Sequence, residues 1–360
     1  WKLASTAASG SSPRTMIAAM ARLRVDSAGL STITAKNTTA IMMNVVHLNP
    51  LPAKDLVFDD TTPTGGDFGA HVWGPAYLRD HLLPGGWFNG WSMDWYAGMP
   101  AYRFYMVLPA LLIVAVDTVL PYGVSMKLVS VLGLVTLPAA CWAFGRLAKF
   151  RYPMPELFAF AGLAFALDES FSIYGGNLRS TMAGEFSFSI ALSLAVLGLG
   201  LLANGLQTGR FRVWASVLLA AACVSHGIVL IFTVGAALVF CLVWIDRQRI
   251  VYAVTAGLTT LLLIMWWVGP FLGNHAFMTD MKYGGEPGQG SFDSWWDMFF
   301  PLTAPLDVLI TTLALIGFGT SIVRRQLNGV ALGLVGFALV AGVFLARDSL
   351  PVIGLLWNPR

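Results

Sequence analysis

From Phe104 to Leu345 the chain alternates hydrocarbon runs with short joints, and nearly all its charge sits in the joints. The runs are Phe104–Leu120, Val124–Phe144, Leu157–Leu167, Phe186–Leu206, Val213–Val224, Ile228–Trp244, Ile250–Val268, Leu306–Val323 and Val330–Leu345. A helix needs about 20 mostly apolar residues to cross a bilayer, and only a helix or a closed barrel satisfies its backbone there. Runs of this length, set apart by Pro, Gly and charge, predict an all-α polytopic membrane protein. Composition agrees. Charged residues make up 11% of the chain, against about 25% in a soluble domain. The net charge of +3 is scattered, so nucleic acid is not an expected partner. Cys141, Cys223 and Cys241 all lie inside apolar runs, where they read as small buried hydrophobes.

The joints assign an orientation. Arg146, Lys149 and Arg151 share one joint, Arg210 and Arg212 another, Arg247 and Arg249 a third, and Arg324 and Arg325 a fourth. Basic joints stay in the cytoplasm. The intervening acidic or polar joints then face outward: 168–185, 225–227, and 269–305 with Asp280, Glu286, Asp293 and Asp297. Phe104–Leu120 breaks this alternation. It carries Pro109 and Asp117 and lies at the short limit for a span, so it is expected to be a helix in the outer interface. About eight spans then follow the first loop, with a ninth before it.

Three regions result. Residues 1–54 are basic, with Lys2, Arg14, Arg22, Arg24 and Lys36, and hold only short apolar pieces. They are expected to form a degenerate or truncated first span. Residues 55–123 form a long outer loop with the interfacial helix, and 124–360 the bundle. A start at Trp1 and a stop at Arg360, soon after a hydrophobic run, are what a piece of a longer protein would show.

The outer loop concentrates the polar chemistry. Asp59, Asp60 and Asp67 could bind a divalent cation or take a proton from a hydroxyl. His71 lies four residues beyond Asp67, on the same face of a helix. The competing reading makes Asp67 a helix cap and the other acids solvation. Trp73, Trp95 and Tyr96 belong to an aromatic set suited to a membrane edge or a substrate. The joint 168–185 adds Arg179, able to hold a phosphate, and Glu185, which opens a span. Glu185 could equally serve a helix dipole, with Arg179 as its partner. His226, at a tight outer turn, is either a satisfied turn residue or a substrate contact.

Three stretches carry a resemblance. They are Pro-Thr-Gly-Gly-Asp67-Phe-Gly-Ala-His71-Val-Trp73, Gly-Trp-Ser-Met-Asp94-Trp-Tyr-Ala-Gly-Met-Pro100 and Tyr-Gly-Gly-Asn177-Leu-Arg-Ser-Thr-Met-Ala-Gly-Glu185-Phe. Over residues 55–360 the chain resembles the bacterial membrane proteins called 6-pyruvoyl-tetrahydropterin-synthase-related, a group similar to the GT-C glycosyltransferases. The pterin activity in that name is not carried over. The resemblance implies a GT-C-like helical bundle in the bacterial inner membrane, with its active face outside the cytoplasm. It implies transfer of a sugar from a polyprenyl-phosphate donor to a cell-envelope glycan or glycolipid acceptor. Asp67 is then the base or metal ligand, with Asp59 and Asp60 next, and magnesium or manganese the cation they would take. His71 and Glu185 complete the catalytic set. Arg179 and Arg79 would bind the donor phosphate, and Trp73, Trp95, Tyr96 and His226 the substrates. A non-catalytic envelope scaffold and a lipid or polysaccharide transporter are the alternatives.

Overall fold

The computed structural model describes residues 53–168, 175–244, 246–278 and 305–346. The expected first span at 1–54 and the outer loop bearing Asp280 and Glu286 lie outside these residues. The chain divides into two units, 1–56 and 57–360. Residues 57–123 therefore belong to the same unit as the helices that follow.

The described chain is almost wholly helical. Two short helices come first, α1 (Ala53–Phe58) and α2 (Phe68–Tyr77). One antiparallel hairpin follows, β1 (Gly90–Ser92) and β2 (Met99–Ala101), with Trp91 opposite Pro100. The remaining helices are α3 (Leu108–Asp117), α4 (Tyr122–Leu147), α5 (Met154–Ala166), α6 (Leu178–Met182) and α7 (Phe186–Thr208). They continue with α8 (Arg212–Cys223), α9 (Gly227–Val243), α10 (Arg247–Gly273), α11 (Pro305–Val323) and α12 (Leu327–Ala346).

Helix ends fall where local chemistry stops or starts them. The Asp60 carboxylate accepts the Gly123 N–H at 2.8 Å and holds the first turn of α4. Asp246 accepts the amides of Gln248 and Arg249 at 2.8 and 3.0 Å and starts α10. Gly209, at φ 76°, ends α7 in the left-handed conformation that a Cβ disfavours.

Among the described residues three helices are long and apolar enough to cross a membrane: α4, α7 and α10. The helices match the expected runs closely, but α5 has 13 residues and α8 only 12. At 1.5 Å per residue these reach only about 20 and 18 Å. The expectation of about eight spans is thus finer than helix length alone supports. Helix α3 has 10 residues, or about 15 Å, and is too short to cross.

The central strut is α7, which is 67% buried over its apolar window against 33% for α4 and 22% for α10. Small residues explain this. A Cβ on Gly133 of α4 would lie 2.2 Å from the Ser189 backbone of α7, so only glycine permits that approach. Hydroxyls join helices inside the apolar interior, as in the Thr136–Ser193 pair at 2.9 Å and the Ser216 bond to the Ala256 carbonyl at 3.0 Å.

Candidate functional site

The two loops singled out from the sequence meet at their ends. The Asp67 N–H donates to the Ala183 carbonyl at 2.8 Å. Gly66 lies against that carbonyl at φ 50°, and Gly184, at φ 113°, lies against Asp67. The approach explains the glycines: a Cβ on Gly66 would sit 2.0 Å from the Ala183 oxygen. Asp67 thereby starts α2 against Ala183, two residues before the Glu185 that starts α7.

Asp67 is the N-cap residue of α2, but its carboxylate makes no cap bond; the carbonyl instead receives the amides of Ala70 and His71. Glu185 is the N-cap residue of α7, also without a side-chain cap bond. Its Oε2 lies 3.8 Å from Nε2 of His226. His71 stands edge-on to Phe186 at 5.1 Å, and His226 edge-on to Phe188 at 5.0 Å. The two imidazoles thus pack on rings that flank the first turn of α7.

Tyr105 completes the cluster, and sequence reasoning missed it. Its hydroxyl is 3.4 Å from Nε2 of His71. Its carbonyl takes the indole N–H of Trp267 at 3.0 Å, which fixes the loop before α3 to α10. A polar phenol opening an otherwise apolar run was the available signal. Its place within the apolar run Phe104–Leu120 conceals that signal.

Electrostatics follow from this packing. Burial pushes the His71 imidazole below its ordinary pKa, and the Glu185 and Asp67 carboxylates offset only part of that effect. His71 is therefore a neutral acceptor or donor at neutral pH. Tyr105 is 41% exposed, and the burial of the rest pushes its phenol pKa up. The charges of Glu185 and Asp67 act in the same direction, so the hydroxyl keeps its proton.

Other expected site residues go elsewhere. Arg79 is divided between Asp80, at 2.6 and 2.7 Å, and Asp117, at 2.6 Å. Its guanidinium also lies over the Tyr122 ring. The guanidinium is thus shared between two carboxylates, through the same planar fork that a phosphate contact would use. Asp60 holds the start of α4, and the Asp59 carbonyl accepts Lys127 at 2.8 Å. Among the described residues no three His, Cys, Asp or Glu side chains gather to hold a metal ion. Arg179 is exposed on α6, whose N-cap Asn177 accepts the Ser180 amide at 2.8 Å.

The aromatic residues form a separate group. Trp73 stacks on Tyr77 at 4.9 Å, meets Trp95 edge-on at 5.5 Å and donates to Asp94 at 3.2 Å. Tyr96 is 95% exposed between the hairpin strands.

An apolar cavity of about 720 Å³ lies between α3, α4, α7 and α8, lined in part by Leu108, Leu112, Gly133, Ile190, Leu194 and Ala221. Ile190 lies five residues beyond Glu185, Ala221 five before His226 and Leu108 three after Tyr105, so three segments each carry a member of the polar cluster and a residue lining the cavity.

No family model, curated protein or solved structure matches the chain.

Proposed function

We propose that this chain is a polytopic membrane glycosyltransferase of GT-C type. It would move a sugar from a polyprenyl-phosphate donor to a cell-envelope glycan or glycolipid on the outer face of a bacterial inner membrane. The observation that carries the reading is the stitched pair of loops. Asp67 and Glu185 are brought together beside His71, His226 and Tyr105, next to an apolar cavity. A lipid-linked sugar has that division of character, with hydroxyls and phosphate at one end and hydrocarbon at the other.

In the proposed reaction an acceptor hydroxyl attacks the anomeric carbon. The new carbon–oxygen bond forms as the bond from that carbon to the lipid phosphate oxygen breaks. The acceptor proton passes to a carboxylate, Asp67 or Glu185, and the lipid phosphate leaves with the electron pair. His71, neutral through burial, can bond the sugar without competing as a charge. Arg179 is retained as a phosphate contact and Trp73 and Trp95 as an acceptor ledge.

A scaffold reading has one observation in its favour. Asp67 and Glu185 both stand at helix N-termini, where a carboxylate is stabilising without any catalysis. A transporter calls for an ionisable group within an apolar run, and Asp117, which lies in Phe104–Leu120, is bound to Arg79. The deciding experiment supplies the full chain in membranes with a panel of radiolabelled polyprenyl-phosphate sugars and compares wild type with Asp67→Asn. Transfer that collapses in a folded variant supports the transferase. Absence of transfer from every donor, with the variant still functional in cells, selects the scaffold.

A further inference from the structure

The outer loop turns a row of large apolar side chains away from the protein. From Leu82 to Met93 the chain carries no Asp, Glu, Lys or Arg. Within that stretch Trp87, Trp91 and Met93 are 68%, 61% and 69% exposed, and Phe88 is 43% exposed. A contiguous apolar patch of this kind marks a surface that meets something other than water. The row is firmly mounted. Leu82, at its base, is buried with Ala101 and Tyr102 against Val107 and Ala110 at the start of α3. The Trp87 N–H donates to the Leu82 carbonyl at 3.1 Å, and Gly86, at φ 75°, closes the turn after Pro84. The Trp91 carbonyl accepts the Tyr77 hydroxyl of α2 at 3.0 Å.

One end of this row rests on a helix long enough to span. The Phe88 ring meets Trp266 of α10, with centroids 5.4 Å apart. Trp266 shares a face of α10 with Leu258 and Leu262, at four-residue spacing, and all three are exposed. Only 22% of the apolar window of α10 is buried, so that face is one a bilayer would cover. Its depth follows from helix rise. Trp266 lies about 24 Å along the helix from Ile250, the first apolar residue after Arg249. A hydrocarbon core that begins at Ile250 is about 30 Å thick, so Trp266 and the ring upon it lie at the level of the outer acyl chains.

We propose that Trp87 and Phe88 form a membrane anchor, inserted into the outer leaflet alongside α10. Acyl chains surround the Phe88 ring, and the Trp87 indole sits at the headgroup boundary, where its N–H meets lipid oxygens. The occupant is lipid because the patch is continuous, through Phe88 and Trp266, with the open face of a helix fit to span the bilayer. A second copy of the chain or a separate protein would have to displace lipid from that same face. Through Tyr77 the anchor also sets the height of α2, which starts after Asp67 and carries His71. The inference rests on the membrane part of the reading above and is independent of sugar transfer.

The test uses the full chain in phosphatidylcholine nanodiscs that include a phosphatidylcholine with a photoreactive diazirine in its acyl chain. Mass spectrometry locates the adducts. Leu262 and Trp266 should be labelled as lipid-facing residues of α10, and Trp87 and Phe88 with comparable yield. Trp87→Asp removes little packing, because the ring is mostly exposed, but sets a carboxylate in the leaflet. It should lower labelling at Phe88 by about tenfold or more while leaving Leu262 unchanged. If that variant does not fold, the wild-type pattern decides alone. Label on Leu262 with none at Trp87 or Phe88 overturns the anchor and leaves α10 as a span. Undiminished labelling of Phe88 in Trp87→Asp also overturns it, since the indole then does not hold the segment in the leaflet. Absence of label from Leu262 and Trp266 overturns the anchor together with the membrane placement of α10. Label at Trp87 and Phe88 without sugar transfer would refute the transferase and leave the anchor standing; transfer without the label would do the reverse.

Discussion

The Asp67 N–H and the Ala183 carbonyl, 2.8 Å apart, join the start of α2 to the turn before α7. This one bond makes a single site of two loops that are far apart in sequence. Each loop brings an acid at a helix start, and each carries a glycine in the left-handed region where the backbones touch. The contact is between main chains, so the side chains of Asp67 and Glu185 remain available for other work.

Gly66→Ala tests the stitch. The added methyl would lie 2.0 Å from the Ala183 oxygen, and a backbone oxygen cannot yield as a flexible side-chain end would. At φ 50° the alanine also takes a conformation that L-residues avoid. The expected loss is about 1–3 kcal/mol or more, the range for a strained non-glycine residue. Thermal unfolding of the purified protein reads it, with Gly65→Ala as a comparison. Nothing lies within 4 Å of a Cβ on Gly65, so that variant carries only its own positive-φ strain. Equal melting temperatures for the two would mean that the loops are not joined as described.

His71 sets a pH dependence. Its folded pKa lies below the ordinary imidazole value of 6.5. The unfolded chain therefore binds the proton more readily, and stability falls as pH drops through that value towards the lower folded one. Replacing the ring by Phe removes the titration while keeping aromatic packing against Phe186. Between about pH 7.5 and 5.5, wild type should lose more melting temperature than His71→Phe. Parallel curves for the two proteins would count against a neutral, buried His71.

The helical architecture was legible because hydrophobic runs report helices directly: Phe186–Leu206 became α7, and Ile250–Val268 lies within α10. The pairing of Asp67 with Ala183 was not legible, because a main-chain bond between loops leaves no periodic trace. Gly66 and Gly184 were visible, but sequence alone did not say that each faces the other's loop. The partner of Arg79 was not legible either, because Asp117 lies on a different helix. Tyr105 was hidden by its apolar neighbours. His226 was recognised as a turn residue and a contact, while its approach to Glu185 required coordinates.

The Arg79–Asp117 pair should be structural. Asp117 is at the end of α3 with its side chain only 11% exposed, and Arg79 ties it to the π-helical turn Leu78–Leu82. Asp117→Asn leaves the guanidinium with one carboxylate and should cost about 1–3 kcal/mol, the scale of a hydrogen bond to a charged group. Replacing both residues by Met and Leu should recover much of that loss, since removing a pair avoids stranding one charge. Unfolding of the single and double variants makes the comparison. A double variant as unstable as the sum of its singles would show that the two residues act independently.

The side of the membrane on which the cluster sits can be read with reporters fused after residues 90, 150 and 208. Helices α4 and α7, at about 39 and 35 Å, are each long enough to cross a hydrocarbon core of about 30 Å. The start of α4 is held by Asp60 and its end carries Arg146; α7 starts at Glu185 and ends just before Arg210. Both helices thus run from the acidic cluster towards basic residues. Helix α3, only 10 residues long, cannot move residue 90 across the bilayer from the start of α4. Residue 90 should therefore report the outer side, and residues 150 and 208 the cytoplasm. A cytoplasmic reporter at all three positions would require the chain to cross once more between 90 and 122. That would place Asp67 and Glu185 on opposite faces, which their shared backbone contact forbids.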